Sequence, residues 1–454
     1  MDDIYSSILN SFIISDYIFD ESTYIAKFYY NYKDKYDFCE EIHFVKNSDS
    51  NLSDAQRKLL GRALALANVI IGTSYYKSRP TTNVWLGGRI DHFQREMFDT
   101  IYQDGLSQFA YENNLTRADL GSFSRVEEFS KLISHSPDAE NTPALNTKPI
   151  AYDGNSVLAL QSGGKDSILT ATILNEKDIP WTALYISSDK NASYPKIIDG
   201  LGAEKVQVIT RIIDHKGLKN VKHGLNGHVP VTYINMIIAL VQAILNGNNK
   251  ILTSIGHEGA EPHTIIKSPP SSGLPDLPVN HQWSKTWEAE QLFAEYISRY
   301  ISDDIKIGSI LRQYSELKIA ELFAEKCWKK YGHQFSSCNR ANYQQGKNNA
   351  ELHWCGECAK CANSYLLFAP FIEVDDLNSL FPRSKSLFEK KKLVTDFEGL
   401  LGIDDAMKPF ECVGEIAELR KAYHLKKSGY PDLPFTVPKS DFDYNKKYPG
   451  QKLV

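Results

Sequence analysis

Between Ser156 and Ser167 the chain reads Ser-Val-Leu-Ala-Leu-Gln-Ser-Gly-Gly-Lys-Asp-Ser, a short apolar strand that runs into two adjacent glycines and then a helical stretch. Two glycines let the backbone approach an anion closely with its N–H groups turned inward, and a helix N-terminus adds partial positive charge. Ser162, Gly163, Gly164, Lys165, Asp166 and Ser167 are therefore the candidate phosphate-binding residues. The two serines add hydroxyl donors, Lys165 is a cation for phosphate charge, and Asp166 is a carboxylate suited to an accompanying Mg²⁺. Other nucleotide loops fit poorly. A Walker loop needs glycine where Ala159 stands and Ser or Thr where Asp166 stands, and the dinucleotide fingerprint is absent.

The rhythm around this loop sets the expected fold. Strands are expected at 156–160, 181–186, 205–209 and 251–254, alternating with helices at 166–176, Tyr194–Leu201 and Thr232–Leu245. Such alternation predicts an α/β fold with a doubly wound parallel sheet, which binds ligands at the carboxyl ends of its strands. Upstream, Tyr24–Tyr30 and Glu41–Val45 read as strands and Leu59–Ile71 as an amphipathic helix, giving an N-terminal α+β domain over 1–133. A Ser-, Pro- and Asn-rich linker is expected at 134–155, and the phosphate-loop domain at 156–330. Helices are expected over Trp283–Ile301 and Leu311–Lys329. A cysteine-containing helical region then covers 331–428, and an extended tail 429–454.

With 454 residues and 42% apolar content the chain can bury substantial cores. A net charge of −5, without a basic stripe, argues against a nucleic-acid partner. The acidic start Met1-Asp2-Asp3 is unlike a secretory signal, and the apolar run Met236–Leu245 is too short to span a bilayer. The expectation is a cytoplasmic protein with no membrane partner.

Cys338, Cys355, Cys358 and Cys361 follow a C-x16-C-x2-C-x2-C pattern. Paired C-x2-C turns aim two sulfurs at one point, and a distant cysteine closes a tetrahedral Zn²⁺ site, with His353 an alternative fourth ligand. An iron–sulfur cluster on the close cysteines is the competing reading. A closed four-thiolate zinc site has no place for water and staples structure.

The loop resembles that of the ATP pyrophosphatase superfamily, of the adenine-nucleotide alpha-hydrolase-like fold, which includes GMP and NAD synthetases and tRNA-thiolating enzymes. The resemblance implies that ATP is cleaved to AMP and pyrophosphate as a substrate oxygen attacks the α-phosphorus. Ser74–Lys77, Asn226–Thr232, Asn280–Lys285, Phe335–Arg340, His353–Gly356 and Lys408–Glu415 narrow it further. With the loop, these segments resemble the MurL family of UDP-N-acetylmuramoyl-L-alanyl-L-glutamate epimerases.

That resemblance implies adenylation of the terminal L-glutamate carboxylate of a UDP-muramoyl dipeptide, proton exchange at its α-carbon, and hydrolysis to the D-glutamyl product. ATP, Mg²⁺ and a structural Zn²⁺ are the implied cofactors. Candidate catalytic residues are Cys412, His257, Glu258 and Lys285. Candidate substrate contacts are His228, His281, Trp283, Tyr76 and Lys77. The chain departs from the family pattern at Ile255–Ala260, which bears on the peptidyl substrate and not on adenylation. Two alternatives stand beside this reading: a phosphate-loop enzyme acting on a nucleobase or tRNA, similar to 7-cyano-7-deazaguanine synthase, and a non-catalytic nucleotide-binding protein.

Overall fold

A computed structural model describes residues 11–33, 35–46, 52–87, 90–123, 148–257, 261–344 and 350–454. Its strands are β1 (Phe12–Asp20), β2 (Ile25–Tyr32), β3 (Tyr36–His43), β4 (Val84–Leu86), β5 (Val157–Leu160), β6 (Trp181–Ser187), β7 (Lys205–Ile212), β8 (Lys250–Thr253), β9 (Thr264–Ile266), β10 (Leu277–Val279) and β11 (Lys306–Ser309). Nine of them form one mixed α/β sheet in the order β11-β8-β5-β6-β7-β3-β2-β1-β4, and β9 pairs with β10 in a separate hairpin. From β11 to β7 every pairing is parallel. Such strands need crossover segments, and these supply the helices.

Successive residues of the parallel strands serve different cores. Leu158, Leu184 and Ile251 face one apolar cluster with the helix Val231–Asn246, while Ala159, Ala183 and Leu252 face a second with the helices Lys165–Glu176 and Glu316–Lys326. A strand buried on both faces must be apolar throughout, which accounts for the uninterrupted Val157–Leu160. Val231–Asn246 stops where Gly247 takes φ +84°, a left-handed conformation that glycine adopts without steric cost.

The N-terminal strands extend the same sheet. β3 runs antiparallel to β7, with Ile42 opposite Arg211 and His43 opposite Thr210. A buried ion pair reinforces this seam. Arg211 Nε donates to Glu40 Oε1 at 2.6 Å, and its Nη2 donates to Ser74 Oγ at 2.9 Å. Ser74 lies in the long helix Asp54–Tyr76, whose start carries a reciprocal Ser53–Gln56 cap.

Several elements differ from the sequence expectation. β1 and β11 were not expected, because Asp16 and Asp20 dilute the apolar pattern of one and the other, Lys306-Ile307-Gly308-Ser309, holds a single large apolar residue. The helix expected at 283–301 is interrupted at Thr286, which is extended (ψ 157°) and caps Trp287–Tyr296 with its hydroxyl. The helix expected from Leu311 starts at Glu316, where Ser315 caps it. Tyr194–Leu201 contributes only a tight turn of helix at Lys196–Leu201, closed by Gly202.

Of the expected linker, 134–147 lies outside the described residues, and Tyr152 beyond it is buried. The segment 429–454 has no helix or strand but is packed down through Tyr430, Leu433, Val437 and Leu453. Among the described residues no helix is long and apolar enough to cross a membrane.

Glu40 is fully buried, so Glu40→Ala leaves the Arg211 guanidinium without its carboxylate. The expected loss is about 3–5 kcal/mol in urea denaturation. A loss below about 1 kcal/mol would show that the pair does not hold the seam.

Candidate functional site

After β5 the backbone turns at Gly163 (φ +76°), and the helix begins at Lys165 with side-chain-free Gly164 as its cap. The turn is held by its own serines. Gly164 N–H donates to Ser162 Oγ at 3.3 Å, Ser162 N–H to Ser167 Oγ at 3.4 Å, and Ser167 O–H to Gly164 O at 3.1 Å. A Cβ on Gly163 would stand 2.6 Å from Leu352 Cδ1 and 3.0 Å from Ile197 Cγ2, so glycine is required by space as well as by φ.

Lys165 points inward. Its Nζ donates to Asp166 Oδ1 and to Glu316 Oε2, both at 2.6 Å, and Lys165 and Glu316 are both buried. The ammonium thus ties the start of the loop's helix to the start of Glu316–Lys326. Asp166 and Lys285 both line the open side.

That side is a cavity of about 510 Å³ at the carboxyl ends of β5, β6, β7 and β8. The loop contributes Ser162, Gly164, Asp166 and Ser167; β6 and β7 contribute Tyr185, Ile186 and Arg211; Thr232 and Asn235 come from the helix Val231–Asn246. The opposite wall comes from the cysteine region, through Ser336, Ser337, Asn339 and Lys360.

The four cysteines of that region lie together. Sγ–Sγ distances are 3.7 Å for Cys338–Cys358, 3.7 Å for Cys355–Cys361 and 3.6 Å for Cys358–Cys361, and all four sulfurs fall within 4.8 Å of one another. A tetrahedron of about 2.3 Å metal–sulfur bonds has edges of about 3.8 Å, so this spacing fits one tetrahedral ion. Backbone N–H groups of Ala341, Gly356 and Glu357 donate to Cys338, Cys361 and Cys355, as thiolates require. His353 is exposed and is not part of the group.

A second cluster lies beside the cavity. Cys412 Sγ is 3.7 Å from His281 Nε2, and the His281 ring lies tilted against that of His228 with centroids 4.4 Å apart. Burial pushes His228 down to about 3 and both His281 and His263 down to about 4, so all three imidazoles are neutral at neutral pH. Burial pushes the Cys412 thiol up, but Lys285 and Lys360 outweigh it and the net shift is downward. Burial raises Glu411, which accepts from Asn339 Nδ2 at 2.8 Å.

The remaining sequence candidates are dispersed. Lys77 donates to Gly227 O at 2.8 Å, and burial lowers its ammonium to about 8. Tyr76 is fully buried among Phe12 and Tyr102 with its hydroxyl on Thr81 O, away from the cavity. Trp283 packs on Tyr233. His257 lies flat on Tyr448 of the C-terminal segment, with ring centroids 3.6 Å apart, and does not line the cavity. Glu258 lies outside the described residues.

The sequence reading did not single out Glu316, Lys360, Arg211, Asn339 or Gln108. Asn339 and Lys360 adjoin Cys338 and Cys361, so their neighbours in sequence were the available signal. The others are brought in by long-range packing.

The family model for the MurL N-terminal domain matches residues 5–310, and that for the MurL C-terminal domain matches 334–430. The chain belongs to the MurL family. It is 30% identical over 405 residues to a UDP-N-acetyl-alpha-D-muramoyl-L-alanyl-L-glutamate epimerase of Xanthomonas oryzae pv. oryzae, covering 89% of this chain and 82% of that protein. It is likewise 30% identical over 433 residues to the epimerase of the same name from Salinispora tropica, covering 94% and 87%. Both MurL matches include residues that wall the cavity.

Gly163→Ala should lower stability by about 1–3 kcal/mol through strain and overpacking, read as a fall in Tm. An unchanged Tm would mean that Leu352 yields and the turn tolerates a side chain.

Proposed function

We propose that this chain is an ATP-dependent epimerase that inverts the terminal L-glutamate of UDP-N-acetylmuramoyl-L-alanyl-L-glutamate. The observation that carries the reading is the joining of two chemistries by Lys285. It lines the cavity with the glycine-rich loop, and its charge acts on Cys412 beyond it to favour the thiolate. The names of the relatives supply the substrate.

The loop's backbone amides and the Ser162 and Ser167 hydroxyls receive the β- and γ-phosphates, in the doubly wound setting typical of such loops. Asp166 is the residue that would hold Mg²⁺, which when bound neutralises phosphate charge. The substrate's glutamate α-carboxylate attacks the α-phosphorus; a P–O bond forms, pyrophosphate leaves, and an acyl-adenylate results. Neutralising the carboxylate in this way makes the α-proton far more acidic.

Cys412, as thiolate, takes that proton. Lys285 and Lys360 favour the thiolate, and His281 Nε2 lies 3.7 Å from the sulfur. A proton returned to the opposite face inverts the centre, and water releases AMP and the D-glutamyl product. The cysteine quartet would hold Zn²⁺, since its sulfur spacing suits a single ion better than the wider iron–sulfur cube. Its place is structural, keeping Ser337, Asn339 and Lys360 on the cavity wall.

With ATP, Mg²⁺ and UDP-N-acetylmuramoyl-L-alanyl-L-glutamate, purified protein should release AMP and yield D-glutamate on chiral analysis, with α-deuterium incorporated in D₂O. ADP as the sole nucleotide product would overturn adenylation. Cys412→Ala should form AMP yet lose inversion by about 10²-fold or more. Because the Cys412 shift is downward, the rising limb of the inversion rate should centre below the ordinary thiol value; a midpoint above it would remove the thiolate from the mechanism. Elemental analysis should find one zinc per chain, lost in Cys358→Ser together with a fall in Tm, and iron in its place would favour the cluster.

A further inference from the structure

Behind Cys412 runs a hydrogen-bonded chain that fixes where one proton sits. His281 Nδ1 is 2.5 Å from Gln108 Oε1, and Gln108 Nε2 is 2.6 Å from Glu112 Oε1. A carboxylate only accepts, so the amide of Gln108 must turn its nitrogen to Glu112 and its oxygen to the imidazole. An amide oxygen also only accepts, so His281 carries its hydrogen on Nδ1. Its Nε2 lone pair then faces Cys412 Sγ.

We propose that Glu112 and Gln108 are positioning residues that lock His281 in the Nδ1–H tautomer, so that Nε2 accepts the proton of the Cys412 thiol. The S–H bond breaks and an N–H bond forms at Nε2; the electron pair stays on sulfur as the thiolate. Gln108 is buried while Glu112 is exposed at the end of its helix, so one member is held by packing and the other is reachable from solvent.

The surrounding charges divide between the two partners. Lys285, Lys360 and Glu316 face Cys412, with Glu411 beside it in sequence. Glu411 and Glu112 favour a charged His281, whereas Lys285 and Lys360 oppose it. The rings of His228 and His263 lie 4.4 and 6.5 Å from it. Burial leaves His281 unprotonated at rest, and the transfer places opposite charges on atoms 3.7 Å apart, so the thiolate itself stabilises the imidazolium it creates.

This inference rests on Cys412 being the base, but its test does not use epimerisation. The full-length protein is alkylated with iodoacetamide across pH, and modification at Cys412 is followed by peptide mass spectrometry, which separates it from the other six cysteines. In Gln108→Leu the midpoint should rise by about one unit, and the rate at pH 7 should fall about tenfold. Glu112→Gln, a surface change, should move the midpoint the same way by less, and it carries the test if Gln108→Leu does not fold. The exchange Gln108→Glu with Glu112→Gln restores an acceptor at Nδ1 and a donor behind it, and should bring the midpoint back to that of the parent or below it, because a carboxylate supports the imidazolium more strongly than an amide oxygen. A purely structural contact would not be repaired in this way. An unchanged midpoint in the folded single variants, or a midpoint that the exchange leaves raised, overturns the relay. Inversion that survives Cys412→Ala would overturn the base assignment instead.

Discussion

One ammonium group sits at the junction on which the site depends. Lys165 is the first residue of the helix that follows the glycine turn, and its charge is buried between Asp166 and Glu316. A buried charge is tolerated only when it is paired and hydrogen-bonded, so the three side chains constrain one another. The loop's geometry is therefore coupled to the placement of Glu316–Lys326, a helix that packs against Lys165–Glu176 and the cysteine region. The lysine serves the framework under the loop, while Ser162, Gly164 and Ser167 above it line the cavity.

The opposite wall has a different origin. Ser336, Ser337 and Asn339 flank Cys338, and Lys360 lies between Cys358 and Cys361 at the start of the helix Ala359–Phe368, so the converging sulfurs tie these segments to one another. Leu352 from this region fills the space that a side chain on Gly163 would need. The turn and the cysteine segment are thus fitted to each other. Asn339 extends the influence of the cluster further by holding Glu411, next to Cys412.

What could be read from the sequence divides along the distance over which it acts. The strand–turn–helix at Val157–Glu176, the buried helix ending at Gly247 and the grouping of the four cysteines are local patterns, written within short windows. Lys165–Glu316 spans 151 residues and His281–Gln108 spans 173, and no window reveals such a pairing. Tyr76 and His257 show the converse. Each sits in a segment that drew attention, yet one is enclosed by aromatic rings and the other lies under Tyr448. β11 carries no such local pattern: unlike the equally short β5, its Lys306-Ile307-Gly308-Ser309 holds a single large apolar residue.

The seam between β3 and β7 has an architectural consequence. Arg211 reaches Glu40 and Ser74 of the N-terminal region and also lines the cavity, so the first hundred residues are no detachable appendage. Excising them would strip hydrogen-bonding partners from the edge of β7 and lay bare the apolar flank of Val231–Asn246. A lineage carrying this arrangement cannot shed or swap its leading segment without rebuilding the chamber behind it.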